Sequence, residues 1–189
     1  MNRELGIGTV ISAWKKNVMV AVLIAAVGLF LLYLFAKEGP QAVKIVHEGD
    51  RAPAFHLPAL DGRTVSLADY RGKIVMVHFW ATWCPPCVEE MPMLEQLYRS
   101  LRAADFEILA VSVDEGGARA VAEFMQRNGL NLPVLLDPSR SVAGHYGTYK
   151  FPETYVVDRQ GVVTYKAIGP RDWTDPATMN AIRALIASK

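Results

Sequence analysis

The chain holds two cysteines, Cys84 and Cys87, with Pro85 and Pro86 between them. A structural disulfide gains its effect by closing a longer loop than this one. The pair is therefore there for redox chemistry or for metal. Upstream, residues 74–80 (IVMVHFW) form an apolar run rich in β-branched and aromatic types, the pattern of a strand buried on both faces. Downstream, Val88, Met91, Leu94, Leu97 and Leu101 recur at helical spacing over 85–101. Cys84 thus opens a helix, where the positive end of the dipole and the first free N–H groups favour the nucleophilic thiolate. One helical turn sets the two Cα atoms about 5–6 Å apart, within disulfide range. In this reading the first sulfur faces outward and attacks a substrate disulfide, and the second, tucked into the turn, resolves the mixed disulfide.

The spacer sets the direction of electron flow. With Cys84 as N-cap, Pro85 and Pro86 fill the next two positions and neither has an N–H. The thiolate keeps the Cys87 N–H as its nearest backbone donor and lacks one or two others. A less stabilised thiolate makes the disulfide harder to reduce, which suits a reductant. Metal is the competing use. Zinc asks for four ligands, and His47, His56, His78 and His145 are scattered with no second pair at ligand spacing. Copper(I) accepts two soft thiolates and remains the nearer alternative. No cofactor is expected beyond the Cys84–Cys87 disulfide itself.

Strands and helices alternate around this centre. Strands are expected at 54–57, 64–67, 74–80, 106–113 and 134–136, with helices at 85–101, 117–128 and 139–146. Residues 154–157 and 162–168 flank the turn Asp158-Arg159-Gln160-Gly161 as a hairpin, and Thr174 or Asp175 caps a last helix with Pro176 at its first position. The fold class is α/β, a mixed central sheet covered by helices. Apolar residues are 51% of the 189, enough for a packed core. A net charge of +1 gives no reason to expect a nucleic-acid partner.

The first forty residues differ. Residues 18–36 carry no charge and, as a helix about 28 Å long, match the ~30 Å hydrocarbon core of a bilayer. Arg3, Lys15 and Lys16 precede them, with Glu4 as the one opposing charge, which favours the N-terminus in the cytoplasm. The expected organisation is a cytoplasmic tail (1–17), a transmembrane anchor (18–36), a linker (37–50) and a folded domain (51–189) outside the cytoplasm. A cleaved signal peptide is the alternative; the run is long for one, and Leu34-Phe35-Ala36 is a poor cleavage site.

Phe79-Trp80-Ala81-Thr82-Trp83-Cys84-Pro85-Pro86-Cys87 resembles the active-site segment of thioredoxins, and more closely that of the bacterial membrane-anchored TlpA/ResA-like group, which includes the cytochrome c maturation thioredoxins. Gly49 to Phe55 resembles the opening segment of that group, Pro92 the helix-kinking proline, Phe151-Pro152-Glu153-Thr154 the segment with the cis-proline, and residues between Val113 and Pro133 the helix-containing insert. The resemblance implies a thioredoxin-like fold and an extracytoplasmic reductase on the bacterial cytoplasmic membrane. It implies electrons received from a membrane thiol-transfer protein, and clients with disulfides such as those of apocytochrome c.

It also implies roles for further residues. Pro152 is expected to be cis, which leaves backbone groups of Phe151 to pair with an extended substrate. Trp83 offers an apolar contact surface for substrates, or packs. Glu90 falls one helical turn after Cys87, where ResA-like proteins often carry an acidic residue, and is expected to exchange protons with the cysteines. A solvated carboxylate like Glu89 is the competing reading. Glu153 matches a residue near the site in cytochrome-maturation members. His78 departs from the pattern, since thioredoxin has aspartate there and many relatives asparagine. It is read as a neutral core histidine in preference to a base for Cys87.

Two other functions fit the sequence less well. A peroxidase of the PxxxTxxC pattern has threonine where this chain has Ala81, and a copper-delivery module of the Sco type has CxxxC, one residue longer.

Overall fold

A computed structural model describes residues 7–37, 45–103 and 105–188, with side chains of the first helix described over 14–36. The start of the expected tail (1–6) and most of the expected linker (38–44) lie outside the described residues. The chain divides into two compact units, Met1–Ala42 and Val43–Lys189.

The described residues of the first unit form one helix, α1 (Ile7–Lys37), which starts well before the apolar run. Its stretch Trp14–Ala36 has a mean hydropathy of 2.9 over 23 residues, long and apolar enough to cross a membrane.

In the second unit a five-stranded sheet has the order β5-β4-β3-β6-β7. Its strands are β3 (Ile74–Trp80), β4 (Phe106–Ser112), β5 (Val134–Leu136), β6 (Glu153–Val157) and β7 (Val163–Ile168). A small antiparallel pair, β1 (His56–Pro58) and β2 (Thr64–Ser66), precedes them. β3 pairs parallel with β4 and antiparallel with β6, so the sheet is mixed as expected. Every residue of β3 is buried, in keeping with its unbroken apolar sequence. The helices are α2 (Pro85–Leu101), α3 (Gly117–Arg127), α4 (Ser141–Tyr146) and α5 (Pro176–Ala187). α2 turns Cys87, Glu90, Met91, Leu94, Leu97 and Leu101 inward, a stripe at three- and four-residue spacing. Asp175 is the cap of α5; its side chain accepts from the Thr178 N–H, and Pro176 is the first helical residue.

Several expected boundaries move. β1 begins two residues later than the expected 54–57 and ends one residue later. Leu67 leaves the second strand for a 3₁₀ turn (Leu67–Tyr70) that Ser66 and Asp69 close with a capping box. α4 starts at Ser141, after a turn in which Arg140 has φ 56°. The expected linker is also shorter than residues 37–50. Val46 is 2% exposed, its N–H donates to the Tyr146 carbonyl, and the Gly49 N–H donates to the Val163 carbonyl at 2.8 Å. A short apolar stretch among glycines and charges carries no periodicity, so composition alone reads this docked segment as a connector.

Both edges of the sheet are met by other parts of the chain. At β5, Ala59 forms a bridge with Leu135, and the Leu60 N–H donates to the Val134 carbonyl at 2.9 Å. At β7, Gly49 and Asp50 exchange backbone hydrogen bonds with Val163, and the Lys166 N–H donates to Glu48 Oε1.

Candidate active site

The cysteines sit where β3 gives way to α2, and the neighbouring strand holds the connecting turn. Asp114, 3% exposed just past β4, accepts from the Thr82 N–H at 3.0 Å and from the Thr82 hydroxyl at 2.5 Å. The Ser112 hydroxyl donates to the other carboxylate oxygen at 2.7 Å. A buried carboxylate with this many donors is a rigid clamp on the residue two before Cys84. The Cys84 N–H then donates to the Ala81 carbonyl, and the Val88 N–H to the Cys84 carbonyl, which starts α2. Cys84 is the N-cap with extended backbone (φ −98°, ψ 102°), and Pro85 and Pro86 take the first helical positions.

Cys84 and Cys87 form a disulfide with Cα atoms 5.3 Å apart. Cys84 is 5% exposed and Cys87 0%. The expected outward-facing first sulfur is thus nearly covered in the oxidised state; what survives is the ranking, with Cys84 the more accessible of the two.

Glu90, 0% exposed, is no solvated carboxylate. Burial pushes its pKa up to about 8, against the opposing pull of the Arg171 backbone N–H and the Arg171 charge. The Trp173 indole N–H donates to Glu90 Oε1, while Oε2 has no partner among the described residues. His78, in the central strand β3, is fully buried. Its Nδ1 shares a 2.9 Å hydrogen bond with the Thr154 hydroxyl, and burial lowers its pKa to about 3, so the ring is neutral at physiological pH. That is the core histidine favoured from sequence. Trp80 is core as well, 0% exposed.

The Phe151–Pro152 peptide bond is cis. Beside it, Trp83 is 55% exposed, its ring edge-on to Phe151 with centroids 6.2 Å apart. The Arg140 guanidinium lies 5.7 Å from the Trp83 ring centre and 3.2 Å from Glu115 Oε1. Glu153 is 0% exposed, accepts from the Tyr155 hydroxyl at 2.6 Å and pairs with Lys166 Nζ at 2.9 Å. Register places Glu153 opposite Phe79 and Thr154 opposite His78, so the two belong to opposite faces of the sheet.

The structure therefore gathers Trp83, Cys84, Cys87 and Glu90 at the start of α2, and sets Phe151 against Trp83. Sequence reasoning missed Asp114, Arg140, Arg171 and Trp173. Asp114 had a faint signal, a carboxylate directly after an apolar strand; the others act through loops whose placement no periodicity encodes.

A redox-active cysteine pair capping the helix after the central strand of a thioredoxin-like sheet defines a thiol–disulfide oxidoreductase. Residues 48–166 match the AhpC/TSA family, and the chain belongs to it, within a group of ResA-like thiol-disulfide oxidoreductases. It is 39% identical over 148 residues to the thiol-disulfide oxidoreductase ResA of Geobacillus thermodenitrificans, covering 78% of this chain and 82% of that one. To the ResA of Bacillus subtilis it is 36% identical, covering 78% and 80%. Among solved structures, a thiol:disulfide interchange protein of the thioredoxin family from Chlorobium tepidum superposes with a TM-score of 0.64 at 27% identity, covering 75% of this chain and 99% of that one.

Proposed function

We propose that this protein reduces disulfides of client proteins outside the cytoplasm, anchored by α1 in the bacterial cytoplasmic membrane, with apocytochrome c among its clients and a membrane thiol-transfer protein as its electron donor. The observation that carries the reading is Cys84 as the N-cap of α2 with two prolines behind it and Cys87 wholly buried. Reduced Cys84 attacks the client disulfide as a thiolate. A mixed disulfide forms and the client's other sulfur leaves as a thiolate, which takes a proton from water. Cys87 gives up its proton and attacks the Cys84 sulfur, and the client departs fully reduced. Glu90, one turn along α2 from Cys87, takes that proton when ionised and passes it to the departing thiolate. Trp83 and Phe151 form the apolar surface on which an extended client lies, beside Pro152.

The direction of flow has a measurable consequence. With both spacer residues lacking an N–H, the midpoint potential is expected on the order of −200 to −300 mV. Equilibration with a glutathione redox series reads it directly, and a value near −120 mV, that of a strong periplasmic oxidant, would reverse the assignment.

The topology has its own test. Lys15 and Lys16 flank the apolar run on its N-terminal side, which by the positive-inside rule leaves the domain outside. A reporter that works only outside the cytoplasm, fused after Lys189, is expected to be active. Activity of a cytoplasm-only reporter at the same site would place the domain, and its electron source, on the wrong side.

A further inference from the structure

We propose that Trp173 is a positioning residue of the redox site, its indole N–H fixing Oε1 of Glu90 so that Oε2 is the oxygen that exchanges a proton with Cys87. The inference rests on the proton-exchange role proposed above for Glu90. It starts from an asymmetry within one carboxyl group. Both oxygens are buried, one holds the Trp173 indole N–H, and the other has no partner among the described residues. A buried unsatisfied oxygen is costly. It is tolerated where a proton comes and goes, because the protonated oxygen is a donor and the ionised one an acceptor. Trp173 is itself 1% exposed, so its ring is held by packing and cannot follow the carboxyl if Glu90 turns.

The arrangement comes from the segment between β7 and α5. Gly169 leaves β7 with its N–H on the Pro152 carbonyl at 2.8 Å, which ties this segment to the cis-proline loop. Arg171 then brings its charge close to Glu90. Asp172 turns away, accepting from the Thr174 N–H at 2.8 Å and the Thr174 hydroxyl at 2.6 Å. Trp173 completes the set. One short segment thus sets an N–H donor and a positive charge against the ionised form of a carboxyl on α2. Both favour ionisation and work against the burial that opposes it.

The other groups near Glu90 do not blur a titration of the oxidised protein. Cys84 and Cys87 are joined and carry no proton. His78 is neutral above about pH 3. The hydrogen bonds from Thr174 hold the Asp172 carboxyl below the usual carboxylate range.

The test uses the full-length oxidised protein in detergent micelles, labelled with ¹⁵N at the indoles. The chain has four tryptophans, and Trp173→Phe identifies the resonance that disappears. Between pH 6 and 10, a range set around the expected ionisation, the Trp173 indole signal is expected to move with one midpoint, and to stay flat in Glu90→Gln. In disulfide exchange, Trp173→Phe removes a donor to the carboxylate and is expected to shift the rate profile upward by on the order of one pH unit. A purely structural tryptophan would lower stability without moving that midpoint. A flat indole signal in the parent protein overturns the inference, whether or not Trp173→Phe folds. So does an unmoved rate profile in a folded Trp173→Phe. If Glu90→Gln leaves the rate profile unchanged, the proton-exchange role of Glu90 falls and the inference falls with it; a changed profile beside a flat indole signal sinks the inference alone.

Discussion

Cys87→Ser is expected to accumulate client proteins covalently linked to Cys84, while Cys84→Ser traps none and loses disulfide reduction entirely. The asymmetry follows from position. In the Cys87→Ser protein the first displacement still occurs, since Cys84 keeps its place at the N-terminus of α2, where partial positive charge stabilises a thiolate. The second displacement cannot, because a serine hydroxyl does not attack a disulfide, and the mixed disulfide persists. In the Cys84→Ser protein the remaining thiol has 0% exposure, so no client sulfur can reach it in line. Mass spectrometry of the trapped species, with Cys84 as the linked residue, checks the assignment and names the clients in the same experiment. Clients held equally by Cys84→Ser would show the roles to be reversed.

Glu90→Gln is expected to change both rate and stability, each with a defined dependence on pH. A positioned general base contributes on the order of 10²-fold or more to a proton-transfer step. The rate of mixed-disulfide resolution should therefore fall by about that factor in the glutamine protein, and the limb of the pH–rate profile near the raised pKa of about 8 should vanish. His78→Asn, at a ring already neutral and bonded to Thr154, should leave the profile in place.

Stability moves with the opposite sign. The carboxyl binds its proton more tightly folded than unfolded, with a pKa raised from 4.5 to about 8. The parent protein is thus most stable, as far as this group goes, below about pH 4.5. It loses that contribution as pH rises through the window up to about 8, at roughly 1.4 kcal/mol per unit of displacement. Glutamine carries no such proton. Urea unfolding of the oxidised proteins should show Glu90→Gln gaining on the parent by a few kcal/mol between pH 5 and 9. Parallel curves for the two would mean that Glu90 ionises in the folded state as it does in water.

Much of this was legible in the sequence because it is written in local patterns. The unbroken run of β3, the three- and four-residue stripe of α2 and the Asp175-Pro176 start of α5 each specify an element without reference to the rest of the chain. The cysteine spacing named the chemistry for the same reason. Pro152 needed more. Its cis bond depends on the surrounding tertiary structure, and only resemblance to a family pointed to it. The environment of Glu90 was harder still. Helical spacing placed it beside Cys87, but its burial is completed by Trp173, 83 residues later in the chain, across a loop with no periodicity to read. The docking of residues 46–50 was missed because backbone hydrogen bonds, which carry no side-chain signature, hold much of it.

The covered edges of the sheet bear on how such a protein lives among unfolded chains. A reductase of incompletely folded clients spends its time surrounded by extended polypeptide, the material most apt to add itself to an open strand. Here the rim of β5 is occupied by residues 59 and 60, and that of β7 by residues 48–51. Indiscriminate recruitment of strands, which would turn a catalyst into a seed for aggregation, is thereby discouraged at both margins. On the function proposed above, client backbone is met instead at Phe151, where pairing is brief and ends with the departure of a reduced chain.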